Sequence, residues 1–395
     1  MLKKGKISSA DFYYLALLLY VLANNIQRSY IYNEWAASGS MLLKAIQMLR
    51  YVAYLLCIIR LLSLKKVDST IFVAWIILFF SSVIAAFSGT ANSPIFYFLF
   101  FVAGVKTDFK KVVKIFLSVQ LVTFIIYLFC GLTGIVGGET ILNAGKPRAF
   151  LGYGWVNRAA YCLLFMTLEF LYIIDFKIKL LPAILIFVLN LFIYYKTYTD
   201  FPFLTTIAAL VIGVFYNYIG SKKKHPVILN TKMLYIYFIA TLVLGVALPL
   251  LYNPGNNIWV KLNQVVNNRF SLAQQAIQQY GLHLWGNKLE WTGSSTLLFD
   301  LGQSEEYFYV DAGFLHIALE FGLLYAGVIA AIYFKSISAA KYKKDISLIL
   351  CLFILFTLYI FEPYVLDFAF NPFPLYCFSV WGYMTKKPSH SCEKV

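Results

Sequence analysis

The chain has 395 residues, of which 61% are hydrophobic and only 13% charged. Soluble domains run about 45–50% apolar and about 25% charged, so a water-soluble globular protein is excluded and lipid must cover the excess apolar surface. The formal net charge of +15 would suggest nucleic acid in a soluble chain, but here its meaning depends on where the Lys and Arg residues fall.

In chain order, apolar runs lie near residues 12–24, 41–63, 70–88, 93–105, 112–136, 156–175, 180–195, 201–219, 233–251, 310–334, 346–362 and 368–384. Most approach the roughly 20 residues that cross ~30 Å of hydrocarbon, and none alternates in polarity as barrel strands do. They predict an all-α, polytopic integral membrane protein with about 12 transmembrane helices. The runs at 12–24, 93–105 and 180–195 are short, and 93–105 also reads as re-entrant. Lys and Arg concentrate in alternate connections, around Lys65 and Lys66, Lys106 to Lys114, Lys222 to Lys224 and Lys341 to Lys344. Taking these as cytoplasmic places both termini inside a plasma membrane. The basic excess then records orientation, and no nucleic-acid partner is expected. The first run follows Lys3, Lys4 and Lys6, as a signal peptide would, but without a small-residue cleavage site it reads as an uncleaved anchor.

Of the six cysteines, Cys57, Cys130, Cys162, Cys351 and Cys377 lie in apolar runs and Cys392 in the tail. None forms a C-x-x-C pair or a metal spacing, so they read as small hydrophobes. Nucleotide-binding glycine motifs, zinc or calcium spacings and internal repeats are lacking, and no cofactor or metal is expected. The chain divides into residues 1–251, nine runs with a Gly/Arg-rich outer connection at 137–158; residues 252–309, one large extracellular loop; and residues 310–395, three runs and a cytoplasmic tail.

Loops as long as 252–309 are usually functional or disordered. Within it, Val266, Phe270, Ala273, Ile277 and Tyr280 follow helical spacing, predicting an amphipathic helix over 263–280 that lies along the outer membrane surface. The loop continues through His283, Leu284, Trp285 and Gly286 and ends in an acidic stretch from Glu305 to Asp311. In 137–158, glycines and Pro147 argue against regular structure, and Lys146, Arg148, Asn157 and Arg158 surround a flexible bend. That segment reads either as a turn with interfacial arginines or as a cationic site for an anionic group, since the arginine fork suits phosphate.

Arg148-Ala149-Phe150-Leu151-Gly152-Tyr153-Gly154-Trp155-Val156-Asn157 resembles the arginine-led element of bacterial polysaccharide polymerases, the O-antigen and capsule repeat-unit (Wzy-type) enzymes related to O-antigen ligases. Asn268-Arg269-Phe270 and Leu284-Trp285-Gly286 resemble two elements of that family's large outer loop. Val310-Asp311 through Gly322 resembles the opening of the span that follows. The similarity covers roughly residues 115–325 by the order and spacing of these elements. Val156 stands where the family has proline, Ala312 where it has asparagine, and Thr197 to Asp200 lacks an arginine that many relatives carry.

The resemblance implies transfer of a growing glycan from undecaprenyl diphosphate onto a new lipid-linked oligosaccharide repeat unit at the outer face. It also implies membrane lipids, a chain-length regulator and a flippase of the same pathway as partners. Such a metal-independent transfer needs cations on the departing diphosphate and a base on the attacking hydroxyl. Arg269 and Arg148, supported by Arg158, Lys146 and Asn157, are the candidate diphosphate ligands. Asp311 is the candidate base, with an N-cap role as its other reading. His283 is the alternative base or a solvated loop residue, and His316 a proton shuttle or a packed core residue.

Arg50 and Glu320 both fall roughly 15 Å inside their runs, which suggests a buried pair or a substrate contact; Glu169 is the other candidate partner. Three rival functions stand beside the polymerase: a lipid-linked oligosaccharide flippase or other twelve-span transporter, a ligase passing finished glycan to another acceptor, and a scaffold. Against transport, the sequence shows no paired halves with matching broken segments.

Overall fold

The computed structural model describes residues 8–65, 67–143, 146–222, 231–292 and 308–384. Expectations placed on Lys3, Lys4, Lys6, Glu305, Glu306 and Cys392 lie outside the described residues. Fifteen helices are described: α1 Ser9–Gln27, α2 Tyr30–Ala37, α3 Leu42–Leu62, α4 Ser69–Ser88, α5 Ser93–Ala103, α6 Phe109–Thr133, α7 Arg158–Ile173, α8 Leu180–Thr197, α9 Asp200–Lys222, α10 Thr231–Leu251, α11 Asn257–Val265, α12 Arg269–Tyr280, α13 Gly313–Lys343, α14 Ile346–Tyr359 and α15 Tyr376–Met384.

Seven of these, α3, α4, α6, α8, α9, α10 and α13, are long and apolar enough to cross a membrane, while α5 and α14 are apolar but shorter. The chain is therefore an all-α membrane protein. Side-chain caps start several helices: Asp68 accepts from Thr70 N at 2.9 Å, Asp108 from Lys110 N at 3.0 Å and Asp345 from Leu348 N at 3.0 Å. Exposed apolar side chains, such as Phe72, Ile76 and Phe80 on α4 and Leu181, Leu185 and Val188 on α8, form the faces that lipid would cover. Helix α7 is different, because nearly every residue from Ala159 to Tyr172 is buried. It is enclosed by protein rather than by lipid.

The structure corrects four sequence expectations about these elements. Residues 137–158 do contain regular structure, a hairpin of β1 Thr140–Asn143 and β2 Lys146–Ala149 in register Thr140 to Ala149. The single helix expected over 263–280 is two, because Asn267 and Asn268 adopt left-handed φ of 54° and 62°. Asparagine tolerates that conformation better than most residues, so the chain turns there. Phe270, Ala273 and Ala276 of α12 then bury inward, with α12 packed on α10 and α13.

The third correction concerns α13, which is broken at Gly322 (φ 89°, ψ 160°). Only glycine takes that conformation readily, and a Cβ there would lie 2.5 Å from both Gly286 N and Leu284 O. Unpaired backbone groups are costly within an apolar layer, so a break needs replacement partners. Residues 283–287 supply them. Leu323 N and Leu324 N donate to His283 O and Leu284 O at 3.0 and 3.1 Å. Asn287 donates from N to Glu320 O at 3.2 Å and from Nδ2 to Leu319 O at 2.9 Å.

The last expected run, 368–384, is helical only from Tyr376. Pro372 and Pro374 break its first half, which holds only the 3-10 turn Phe373–Leu375, and a second 3-10 turn, Tyr364–Leu366, follows Pro363 just before the run. The fully buried Asn371 pins this return, donating to Tyr364 O at 2.8 Å and Tyr359 Oη at 2.7 Å.

Candidate functional site

A cavity of about 350 Å³ opens where five elements meet: the end of α1, the start of α5, the start of α7, the front half of α13 and the turn at 362–367. That volume suits a small-molecule site. Its ionisable lining comprises Arg28, Arg158, Asp311, His316, Glu320, Glu362 and Asp367, and Tyr97, Trp155, Tyr309 and Tyr364 add aromatic surface.

The two cations are placed by one backbone junction. Gly154 N donates to Arg28 O at 2.8 Å and Tyr30 N to Gly152 O at 2.9 Å, which lays the 152–158 segment across the end of α1. Arg158 Nη1 then donates to the same Arg28 carbonyl at 3.2 Å. The Arg28 guanidinium is paired with Asp367 at 2.7 Å, and Asp367 also accepts from Ala369 N at 3.0 Å. Among the described residues Arg158 has no carboxylate within ion-pair distance. It opens α7, whose N-terminal end favours negative charge. Asn157 holds the N-cap position without a side-chain capping bond and lines the cavity.

Across the cavity, Arg269 bridges two carboxylates, with Nε 3.2 Å from Asp311 and Nη1 2.5 Å from Glu362. Asn263 sets its position: its Oδ1 accepts from Phe270 N at 3.0 Å and Ser271 N at 3.2 Å, fixing the first turn of α12. The guanidinium also lies over the Phe201 ring at 4.9 Å. Burial alone would lower its pKa, but Glu362 and Asp311 raise it on balance. Burial pushes the Glu362 carboxyl up to about 7 against the opposing pull of Arg269. It also raises Asp311, with Arg269 and His316 opposing. Two carboxylates sharing one cation therefore hold protons more readily than free ones.

His316 is fixed from all sides. Its Nε2 lies 3.1 Å from Glu320 and its Nδ1 3.1 Å from Val310 O. Trp291 stacks on the ring at 5.3 Å and Tyr309 packs at 5.1 Å.

Asp311, His316, Glu320, Asn157 and Arg158 thus share one cavity, and Arg269 stands directly behind it. Asp311 is not the N-cap of α13, since Ala312 holds that position and Asp311 is drawn to Arg269. The other candidates lie elsewhere. Arg148 is spent on α8, donating to Thr197 O at 2.6 Å and Thr199 Oγ1 at 3.2 Å, while Lys146 lies over the Tyr198 ring. Register explains this, because the β-hairpin leans on the end of α8 and not on the cavity. His283 is exposed and off the cavity, and its backbone carbonyl serves the break in α13. Arg50 bonds Asn24 and Gln27, not Glu320, because Glu320 already faces His316 one helical turn away. Glu169 instead accepts from Gln120 at 2.7 Å.

Arg28, Glu362 and Asp367 also line the cavity and were not among the site residues expected from the sequence. Arg28 and Asp367 carry no local signal, and Glu362 only that of an isolated charge between Phe361 and Pro363. Among the described residues, no group of three or more His, Cys, Asp or Glu is arranged to hold a metal ion. Comparisons with protein-family models, curated proteins and solved structures find no match to this chain.

Proposed function

We propose that the chain is a membrane glycosyltransferase that crosses the bilayer twelve times. It polymerises undecaprenyl-diphosphate-linked oligosaccharide repeat units at the outer face of a bacterial plasma membrane. One observation carries this reading: a single cavity sets Arg158, which among the described residues lacks a carboxylate partner, across from the Asp311–Arg269–Glu362 cluster. The diphosphate binds at Arg158 and the start of α7, with Arg28 beside them, so that cations already face the oxygen on which charge develops. Asp311 takes the proton of the acceptor hydroxyl as the new C–O bond forms and the bond from the sugar carbon to the diphosphate oxygen breaks. The departing group is undecaprenyl diphosphate. Arg269 holds the two carboxylates in place rather than binding the diphosphate, and the aromatic side chains offer flat faces to sugar rings.

The test uses the reconstituted protein and a lipid-linked repeat unit. Asp311 must be ionised to act, so the rate rises with pH over a range above the usual carboxylate values. Asp311→Asn should abolish that limb, and an unchanged profile would pass the role to His316 or Glu320.

The break in α13 favours a second reading, transport of the same lipid-linked glycan, because discontinuous helices whose ends face a midplane site are a feature of transporters. Movement of glycan across the vesicle membrane without elongation would select it. A ligase shares the donor chemistry and would be recognised by transfer to a different acceptor.

A further inference from the structure

Helix α11 has two unlike sides. Its inner side is tied to α12 through Asn263, 4% exposed, and through Trp259, whose ring meets Phe270 edge-on at 6.0 Å. On the other side Ile258, Leu262 and Val265 are 69%, 48% and 76% exposed. These residues recur at i, i+4 and i+7 and form one apolar stripe along the helix. Lys261 flanks the stripe and is itself exposed. A basic residue beside an apolar stripe is the pattern of a helix seated among lipid headgroups, with its charge at the phosphates and its apolar edge below them.

Continuity points to the same partner. Only residues 252–256 separate α11 from α10, and the apolar end of α10, Leu250 and Leu251, is also exposed, at 53% and 63%. Helix α10 is among those long and apolar enough to cross a membrane, so α11 begins where its lipid-facing side ends. Leu284 and Trp285, at 49% and 51%, are further exposed apolar side chains of the 252–309 segment, on the strap that serves the break in α13.

We propose that α11 docks in the bilayer–water interface with its Ile258–Leu262–Val265 edge in lipid, and that this seat, passed on through Asn263, fixes Arg269 against Asp311 and Glu362. The contact path is short. Asn263 holds Phe270 N and Ser271 N, and Arg269 is the adjoining first residue of α12. The inference does not depend on glycosyl transfer and stands equally for a transporter.

The test places a fluorophore at Val265→Cys in the full-length protein, with Cys130 and Cys392 replaced by Ser, reconstituted in phosphatidylcholine vesicles. Phosphatidylcholine carrying a nitroxide high on its acyl chain should quench the label at least twofold more than one carrying it near the chain end. Aqueous iodide should quench it weakly. Strong iodide quenching would place the stripe in water and overturn the proposal. Failure of both quenchers to reach the label would mean residues 293–307 or a second copy cover it, and would overturn it as well. For the coupling, thermal unfolding in the same vesicles is compared for Glu362→Gln in the wild-type and Leu262→Asp backgrounds. The shift caused by Glu362→Gln should fall at least twofold when α11 is released, and equal shifts would refute the link to Arg269.

Discussion

Arg148 and Arg158 lie in one short glycine-rich segment, yet the fold uses them in opposite ways. Arg148 closes the β-hairpin onto α8, bonding the Thr197 carbonyl left over at that helix end. Arg158 opens α7, bonds one carbonyl of the Arg28 junction and otherwise faces the cavity. Both are arginines at the same end of the bundle, so residue type and position along the chain do not separate them. What separates them is which backbone acceptor lies within reach. Arg148 gives two of its donor groups to the end of α8, whereas Arg158 gives one to the end of α1 and stands at the N-terminus of α7, where an anion is favoured.

Arg269 extends the contrast, because two carboxylates hold it from opposite sides. Arg269→Ala would leave Asp311 and Glu362 buried without their shared cation, costing about 3–5 kcal/mol of stability. Adding Glu362→Gln should restore part of the loss, as unfolding of the single and double variants would show. Arg158→Ala has no such debt to a carboxylate, so its effect should fall on turnover. A loss of about 10²–10³ in rate is expected, the usual effect of removing one preorganised donor. Arg148→Ala should change turnover by less than about tenfold and instead cost roughly 1.5–3 kcal/mol of stability, the range for hydrogen bonds to a charged group. If the two arginine variants lost turnover equally, the contrast drawn from the structure would fail.

The smallest effect is in pH. Burial raises Glu362 to about 7, so the folded state holds a proton that the unfolded chain releases nearer 4.5. A carboxylate raised in the folded state stabilises it at low pH, and that contribution is lost as pH rises through about 7. Thermal stability should therefore decline between about pH 4.5 and 7 in the wild type. In Glu362→Gln the slope over that window should be shallower, and an identical slope would remove Glu362 as its source.

Local features of the fold were legible. Apolar runs located the helices to within a few residues in most cases, because a helix in lipid is selected by length and hydropathy alone. Breaks within runs were not. Gly322 looks like any glycine in an apolar sequence until Gly286, in a distant segment, is seen packed against it. The site was legible in part for the same reason. Arg269 and Asp311 were picked out separately from local patterns, but their 3.2 Å contact, and the pairing of Arg28 with Asp367 almost a whole chain away, arise only from packing. Glu362 was missed because its importance lies in burial beside Arg269, and no local pattern encodes that.

The most direct measurement is the length of glycan made by the purified protein in vesicles supplied with a single undecaprenyl-diphosphate-linked repeat unit. The account predicts a ladder of lipid-linked products in the wild type and almost none in Arg158→Ala at equal protein. Repeat units that remain single, whether they stay in place or cross the membrane, would contradict it.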